Sequence, residues 1–248
     1  MVIGNGLGRI GSITINHGNA MATLKVLGAG PVKRGITQLA AHFEKSSGHR
    51  VAVEFIGAPT VRDRVLAGEA VDIAVTPQSA MEEFVAQGKV DAETRVTLGR
   101  SRMGLAMRKG AVAPDLATVE SFKRAITAAD AVVVNVASSG NYVVKLLEKL
   151  GFVADKAMKQ PDTVKVMDHV AASAQNLLGA GQLPEIRELI DKGVAIVLAG
   201  PLPDELQSIT GYDAAVTKAS ANAVAAAEFT RFLATPAARA AMATTGID

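Results

Sequence analysis

The chain has 248 residues, enough for one large domain or two small ones with a substantial apolar core. Its net charge is +2, and its basic residues are scattered among acidic ones, which excludes the basic, aromatic-rich surface typical of a nucleic-acid-binding protein. Cysteine is absent, which excludes disulfides and thiolate metal sites, and no apolar run is long enough to span a membrane.

The first twenty residues carry polar side chains where a signal peptide would need an unbroken apolar stretch. We therefore expect residues 1–20 to be a non-native or disordered extension. We expect a cytoplasmic protein, or a periplasmic one where a signal was removed or the start is misassigned. The pattern G-x-G-x-x-G at residues 6–11 has neither a strand before it nor a helix after it, so we interpret the match as chance.

Two strand–loop–helix units follow one another in residues 24–76. The loops, residues 28–31 and 57–60, are built from small residues, and each leads into a helix. A helix N-terminus offers unpaired N–H groups and partial positive charge, which suits an anion. Open α/β sheets bind ligands at the carboxyl ends of their strands, so these units predict a small anionic ligand there.

The rest of the chain continues the alternation, which predicts α/β layers with parallel strands. A third small-residue loop, residues 137–140, opens onto a helix. Predicted helices cover residues 80–87, 119–128, 142–150, 169–174 and 221–243, the last restarting at Pro236. Predicted strands cover residues 101–109, 131–136, 163–167, 177–181 and 194–198.

The order of these segments resembles the type 2 periplasmic binding protein superfamily, specifically its molybdate-binding-protein-like branch of solute receptors, which also includes aconitate-isomerase-like proteins. The resemblance covers residues 24–248 and implies two α/β lobes, a two-stranded hinge and a ligand cleft between the lobes. It places residues 21–98 and 200–248 in lobe one and residues 99–199 in lobe two. The segments that carry it are LKVLGAGPVKRGITQLAAHFEKSSGHRVAVEF (24–55), GAPTVRDRVLAGEAVDIAVTP (57–77), ASSGNYVVKLLEKLG (137–151), VAASAQNLLGAGQLPEI (170–186), LAGPLPDELQ (198–207) and AAAEFTRFLATPAARAAM (225–242).

The resemblance also implies a ligand site in the loops after the first two strands, at a helix start in lobe two and where the chain crosses near the ligand. Those positions are Gly28, Ala29, Gly30, Ala58, Pro59, Thr60, Arg62, Ser138, Ser139, Gly140, Tyr142 and Gln182. Molybdate and tungstate receptors use serine hydroxyls from the first two loops, whereas this chain has Ala29, Ala58 and Pro59. A small organic carboxylate held by N–H groups and one cation is therefore predicted over a metal oxyanion. The candidate cations are Lys33, Arg34, Arg62 and Arg102.

Several of these residues also have a purely structural interpretation. Ser138 and Ser139 are preferred N-cap residues, and Thr60 has the same ambiguity. Arg62 can be a solvated surface residue, and Gln182 can satisfy the backbone of the hinge.

Asp168 and His169 precede a predicted helix in lobe two. Histidine titrates near neutral pH, so this pair could act as a general acid and base. Alternatively, Asp168 caps the helix and His169 is exposed. The pair is the catalytic candidate only if the protein is an enzyme.

Two functions from different classes stay open. The first is binding of a small anionic solute by an ABC-transporter-type solute-binding protein, with a permease partner if the protein is exported. The second is a cofactor-independent isomerase that shifts a C=C bond of a small polycarboxylate by proton transfer. A sensor domain like that of LysR-type regulators ranks last, because no helix-turn-helix precedes Leu24. We predict no cofactor, no metal site, no nucleic-acid partner and no membrane span.

Overall fold

The computed structural model describes residues 21–248, so the prediction for residues 1–20 lies outside the described residues. Residues 21–248 form two five-stranded sheets with nine α-helices packed around them. The predicted two-lobed α/β fold with a ligand cleft between the lobes is confirmed. Every helix in this part of the chain is too short or too polar to serve as a membrane span.

The elements alternate along most of the chain. The strands are β1 (Thr23–Ala29), β2 (Arg50–Ile56), β3 (Ile73–Pro77), β4 (Val96–Ser101), β5 (Met103–Arg108), β6 (Ala131–Asn135), β7 (Ala157–Gln160), β8 (Leu177–Gln182), β9 (Ile196–Pro201) and β10 (Thr210–Val216). The helices are α1 (Lys33–Ser47), α2 (Ala58–Leu66), α3 (Gln78–Ala86), α4 (Val119–Ala128), α5 (Ser138–Lys149), α6 (Thr163–Ala172), α7 (Leu183–Asp191), α8 (Ala223–Leu233) and α9 (Pro236–Thr244).

The two sheets have matching topologies. The first sheet has the order β2-β1-β3-β10-β4, with β1, β2 and β3 parallel and β10 antiparallel to both of its neighbours. The second has the order β7-β6-β8-β5-β9, with β6, β7 and β8 parallel and β5 antiparallel to both of its neighbours. We call the first sheet and its helices the first lobe, and the second sheet and its helices the second lobe.

Each sheet is the middle layer of its lobe. Successive side chains of a strand point to opposite faces of the sheet, so each face can pack against its own set of helices. In β1, Leu24 and Val26 pack with α1, α8 and α9 on one face, whereas Leu27 packs with α2 and α3 on the other. The second sheet likewise has one apolar cluster on each face. Apolar burial on both faces of both sheets is the main stabilising contribution to the fold.

The chain passes between the lobes twice, through Arg102 and through residues 202–209. Gln182, at the end of β8, joins these two connections with one buried side chain. Its Oε1 accepts a hydrogen bond from the Ser101 hydroxyl at 2.6 Å, and its Nε2 donates to the Thr210 hydroxyl at 3.3 Å. The predicted lobe boundaries, 98/99 and 199/200, fall inside β4 and β9.

The predicted strand at residues 163–167 is wrong, because these residues form the first half of helix α6. The helix predicted at residues 169–174 is found over residues 169–172, as the second half of the same helix. The run TVKVM alternates as a strand does, but Asp162 caps a helix there by accepting a hydrogen bond from the Lys165 N–H at 2.8 Å. The buried residues Val166, Met167 and Val170 then share one face with helical spacing. Local capping and packing against β6 and β8 therefore override the strand-like pattern.

Three elements escape prediction from the sequence: β7, α7 and β10. Pro184 reads as a break, yet it lies in the first turn of α7, where proline has no N–H to leave unpaired. β10 contains Asp213, which is unusual in a strand interior. The structure accommodates it through hydrogen bonds from Arg95 Nε at 2.6 Å and Gln78 Nε2 at 3.0 Å.

Candidate functional site

A cleft of about 590 Å³ lies between the two lobes. The carboxyl ends of β1 and β2 lead into its wall in the first lobe, and those of β6 and β7 lead into its wall in the second lobe. Residues along α7 and its C-cap residue Lys192 add a further side. The cleft is therefore located where open α/β sheets bind ligands, at the carboxyl ends of strands from both sheets.

The first residues of α2 (Ala58), α5 (Ser138) and α6 (Thr163) lie in the cleft lining, as do the first residue of α1 and the N-cap residue of α7. A short 3-10 helix also starts there at Gly30. The first N–H groups of a helix have no intrahelical acceptor, and the helix dipole places partial positive charge at that end. The helix ends therefore place N–H donors and partial positive charge at the cleft, which suits a negatively charged ligand. Asn135 and Asp162 already accept a hydrogen bond from one N–H group of α5 and of α6, respectively.

Asn135, the last residue of β6, organises the second-lobe wall. Its Oδ1 accepts hydrogen bonds from the N–H groups of Ala137 at 3.0 Å and Gly140 at 3.1 Å. Its Nδ2 donates to the hydroxyls of Ser139 and Thr163, both at 3.1 Å. One buried amide thus fixes the starts of α5 and α6 relative to each other.

Glu185, in the first turn of α7, brings a carboxyl group into the cleft. The hydroxyl of Thr163 donates a hydrogen bond to Glu185 Oε2 at 3.1 Å. Burial raises the pKa of Glu185 to about 7, and the negative charges of Glu188 and Asp162 act in the same direction. A carboxyl group with such a pKa exchanges its proton near neutral pH.

Tyr212 of β10 contributes a phenol from the first-lobe side of the cleft, although only 2% of the residue is exposed. Its hydroxyl has no hydrogen-bond partner among residues 21–248. Burial, aided by the nearby Glu185, raises the pKa of Tyr212, so the hydroxyl stays protonated. It is therefore available to donate a hydrogen bond to a ligand.

Two lysines supply positive charge at the cleft. Lys33 of α1 lies 3.9 Å from Glu188 of α7, across the boundary between the lobes. Lys192, four residues after Glu188, forms an ion pair with the same Glu188 carboxylate. Within residues 21–248, no cluster of three His, Cys, Asp or Glu side chains is suited to hold a metal ion.

The structure brings seven of the predicted site residues together in the cleft lining. They are Gly30, Ala58, Pro59, Thr60, Ser138, Ser139 and Gln182. Four others are absent from the lining. Gly28 and Ala29 are buried in β1, Gly140 is buried against Asn135, and Tyr142 donates its hydroxyl hydrogen to the Leu206 carbonyl at 3.1 Å.

Three of the four candidate cations are absent from the cleft lining and form ion pairs instead, because carboxylates lie within reach of each guanidinium. Arg34 pairs with Asp191 at 2.5 Å, and Arg102 pairs with Asp204 at 3.1 Å. Arg62 donates hydrogen bonds to both carboxylate oxygens of Glu83 at 2.6 Å. Only Lys33 of the candidates lines the cleft within the described residues.

Asp168 and His169 lie on the second half of α6, away from the cleft lining. Asp168 is exposed and lies 3.6 Å from Lys165, and it is Asp162 that caps the helix. The backbone carbonyl of His169 accepts the closing hydrogen bond of the helix from Ser173. Asp168 therefore does not have the predicted N-cap role, and the pair does not lie in the cleft lining. The reason is that α6 begins six residues earlier than the pattern suggests.

Sequence reasoning missed Asn135, Thr163, Glu185 and Tyr212. Asn135 was detectable in principle, since it is the polar residue that ends the apolar run AVVVN. No helix is predicted where α7 lies, so the sequence does not place Glu185 at the site. The strand predicted at residues 163–167 likewise does not reveal Thr163 as the start of α6. Tyr212 carries no local signal, since its position depends on β10 inserting between β3 and β4.

Comparison with known proteins gives a family match over nearly the whole described chain. Residues 24–248 match the family model described as bacterial extracellular solute-binding protein. The chain belongs to this family. The predicted resemblance to periplasmic binding proteins is thereby confirmed.

Individual proteins similar to this chain have different functions. The chain is 30% identical over 240 residues to an aconitate isomerase from Pseudomonas sp., covering 92% of this chain and 88% of that protein. It superposes on the periplasmic molybdate-binding protein of Azotobacter vinelandii with a TM-score of 0.73, 20% identity and coverage of 91% and 98%. For the sulfate-binding protein SubI of Mycobacterium tuberculosis H37Rv the TM-score is 0.70, with 13% identity and coverage of 91% and 86%. The two solved structures establish the likeness of fold alone.

Proposed function

We propose that the protein binds a small organic carboxylate in the cleft between its lobes. The convergence of the N-termini of α2, α5 and α6 on that cleft carries the proposal. Anions are stabilised at helix N-termini by free N–H groups and by the helix dipole. Lys33 and Lys192 supply the cationic charge beside them.

The cleft favours an organic anion over a metal oxyanion for two reasons. Ala29, Ala58 and Pro59 carry no hydroxyl, so Thr60 is the one hydroxyl side chain in the loops after β1 and β2. In addition, Val136 and Val164 line the cleft with 56% and 49% of their surface exposed, and this exposed apolar surface suits a carbon skeleton. A tetrahedral oxyanion has no apolar part that would cover these side chains.

The test is a thermal unfolding screen of the purified chain with citrate, trans-aconitate, molybdate and sulfate. A ligand that binds only the folded state raises the midpoint by mass action. We expect a rise with a tricarboxylate and none with molybdate. A rise with molybdate or sulfate and none with any carboxylate would reverse the proposed ligand class.

Two variants test the location of the ligand. Lys33→Gln removes a cation that lines the cleft, so we expect it to weaken tricarboxylate binding. Arg62→Gln removes a cation whose guanidinium is bound by Glu83, and we expect affinity within about two-fold of the unsubstituted protein, the effect of a screened exposed charge. Equal losses from both substitutions would contradict the proposed location.

The match to aconitate isomerase favours a second candidate function, isomerisation of an unsaturated tricarboxylate by proton transfer. A base would remove a proton from a carbon next to a carboxylate, the C=C bond would shift, and a proton would return to the other end of the three-carbon unit. Proton NMR of trans-aconitate in D₂O measures both isomer formation and deuterium incorporation. Binding without either signal would restrict the protein to solute binding, with an ABC permease as the partner expected of an exported receptor.

A further inference from the structure

Glu185 spans the boundary between the lobes. It belongs to α7 of the second lobe, and its Oε1 lies so close to Gly30 of the first lobe that a Cβ on Gly30 would be 2.5 Å away. Its Oε2 is held by the Thr163 hydroxyl, which in turn accepts a hydrogen bond from Asn135. The carboxyl group is therefore positioned by both lobes at the wall of the anion cleft.

The charged groups around Glu185 do not neutralise it. Glu188 follows it on α7, and Asp162 faces it from the start of α6. The cleft cations Lys33 and Lys192 both pair with Glu188, and Tyr212 of β10 contributes a neutral phenol. Among residues 21–248 no Lys, Arg or His forms an ion pair with Glu185.

The charge of the lining depends on the protonation state of this one group. With Glu185 ionised, the lining carries three carboxylates, Asp162, Glu185 and Glu188, against the two ammonium groups of Lys33 and Lys192. With Glu185 neutral, the two signs balance. An entering anion meets like-charge repulsion from an ionised Glu185, and a proton on that carboxyl removes the repulsion.

We propose that Glu185 is the proton-carrying residue of the cleft, which takes up one proton from solvent when a carboxylate ligand binds and then donates its O–H to a ligand oxygen. The inference rests on the proposed function, because it requires an anion in this cleft. The proton moves from buffer to the Glu185 carboxylate, and no bond to carbon forms or breaks. A ligand bound in this way is an anion with at least one carboxylate group. One of its carboxylate oxygens accepts the Glu185 hydrogen, and the remaining oxygens face the helix N-termini.

The burial that raises the pKa of Glu185 to about 7 supports this arrangement, since the free protein is then mostly ionised at pH 8 and mostly neutral at pH 5.5. Linkage requires that a ligand whose binding takes up a proton loses affinity as pH rises, by up to about ten-fold per pH unit above that pKa.

Isothermal titration calorimetry with trans-aconitate as the probe tests the proposal in the unsubstituted chain. Titrations at pH 8 in triethanolamine and in Tris, two amine buffers whose ionisation enthalpies differ, give the number of protons taken up per ligand bound. We expect a value approaching one at pH 8 and close to zero at pH 5.5. Binding at pH 8 with no proton uptake would overturn the role of Glu185 and leave the proposed function intact.

Substitutions at Glu185 test whether this residue is the one that takes up the proton. Glu185→Gln should bind trans-aconitate with an affinity independent of pH and with no proton uptake, because the amide mimics the neutral acid. Glu185→Asp retains an acid in the same place and should retain uptake with weaker binding. His169→Gln is the matched control, since His169 is absent from the cleft lining, and it should keep the full uptake of the unsubstituted protein.

The outcomes are distinguishable. Proton uptake that survives in Glu185→Gln, or disappears in His169→Gln, would overturn the inference alone. Absence of binding to trans-aconitate, citrate and the inorganic oxyanions at both pH values would overturn the proposed function and the inference with it.

Discussion

Nη1 of Arg34 in α1 lies 2.5 Å from Oδ2 of Asp191 in α7, so an ion pair joins the first lobe to the second beside the cleft. Lys33 and Glu188 face each other on the same side. Cations at the start of a helix are electrostatically unfavourable with respect to the helix dipole. Their position on α1 is explained by the acidic face of α7, which approaches from the other lobe.

We expect Arg34→Gln to have little effect on folding but a measurable effect on ligand binding. The two side chains are 40% and 59% exposed, so the pair contributes below about 1 kcal/mol to the free energy of unfolding. Since the pair forms between lobes, its loss should change trans-aconitate affinity at low salt, and the change should shrink at high salt. Lys218→Gln is the control, because Lys218 pairs with Asp91 within the first lobe. An equal change of affinity in both variants would contradict the interlobe role.

We expect Gly140→Ala to destabilise the second lobe strongly. A Cβ at this position would lie 1.8 Å from the Asn135 carbonyl oxygen, so the start of α5 would have to move. The expected loss is about 3 kcal/mol or more in the free energy of unfolding, measured by urea denaturation. Gly57→Ala is the control at the start of α2, where the added Cβ would meet only Pro59 at 3.8 Å. A loss in Gly57→Ala as large as that in Gly140→Ala would contradict this steric explanation.

We expect Asn135→Asp to disrupt the second-lobe wall of the cleft. The substitution keeps the shape but removes the Nδ2 donor to Ser139 and Thr163 and places a negative charge in a buried site. The cost should be at least about 2 kcal/mol in unfolding free energy, with weaker anion binding in addition. Asn141→Asp makes the same change at an exposed position of α5 and should be close to neutral. Unchanged ligand affinity in Asn135→Asp would show that the wall does not depend on this amide.

We expect stability to fall as pH rises through the range in which Glu185 ionises. Its pKa is about 7 in the folded protein against the ordinary glutamate value of 4.5, so the folded state binds the proton more tightly than the unfolded state. The neutral group's stabilising contribution is fully present below about pH 4.5 and is lost by about pH 7, a change of up to about 3 kcal/mol. Urea unfolding of Glu185→Gln should therefore show a gain over the unsubstituted protein that grows with pH. Glu148→Gln, at an exposed position, should show no such trend.

The sequence predicts those parts of the site that are formed by residues close together in the chain. The loops after β1, β2 and β6 are small-residue segments that lead into helices, and each contributes residues to the cleft. The acid–base candidates were misplaced because the start of α6 depends on the Asp162 cap and on packing, which shift the helix toward the N-terminus. Arg62 could not be assigned from the sequence, since its partner Glu83 lies twenty-one residues away on α3.

No local sequence pattern indicates that Glu185 and Tyr212 lie close together. They belong to different lobes, and they approach each other only because the chain returns to the first sheet after completing the second. Long-range placement of this kind depends on the whole topology and not on the propensity of either segment.

The order of strands in the first sheet has a consequence for the protein during its synthesis. All five strands of the second sheet leave the ribosome before β10, so the second lobe can complete its core while the first is still unfinished. Until β10 inserts between β3 and β4, both of those strands present unpaired edges. At that stage of synthesis the chain holds every strand of the second sheet but an incomplete first sheet, whose unpaired edges are open to wrong pairing with another chain.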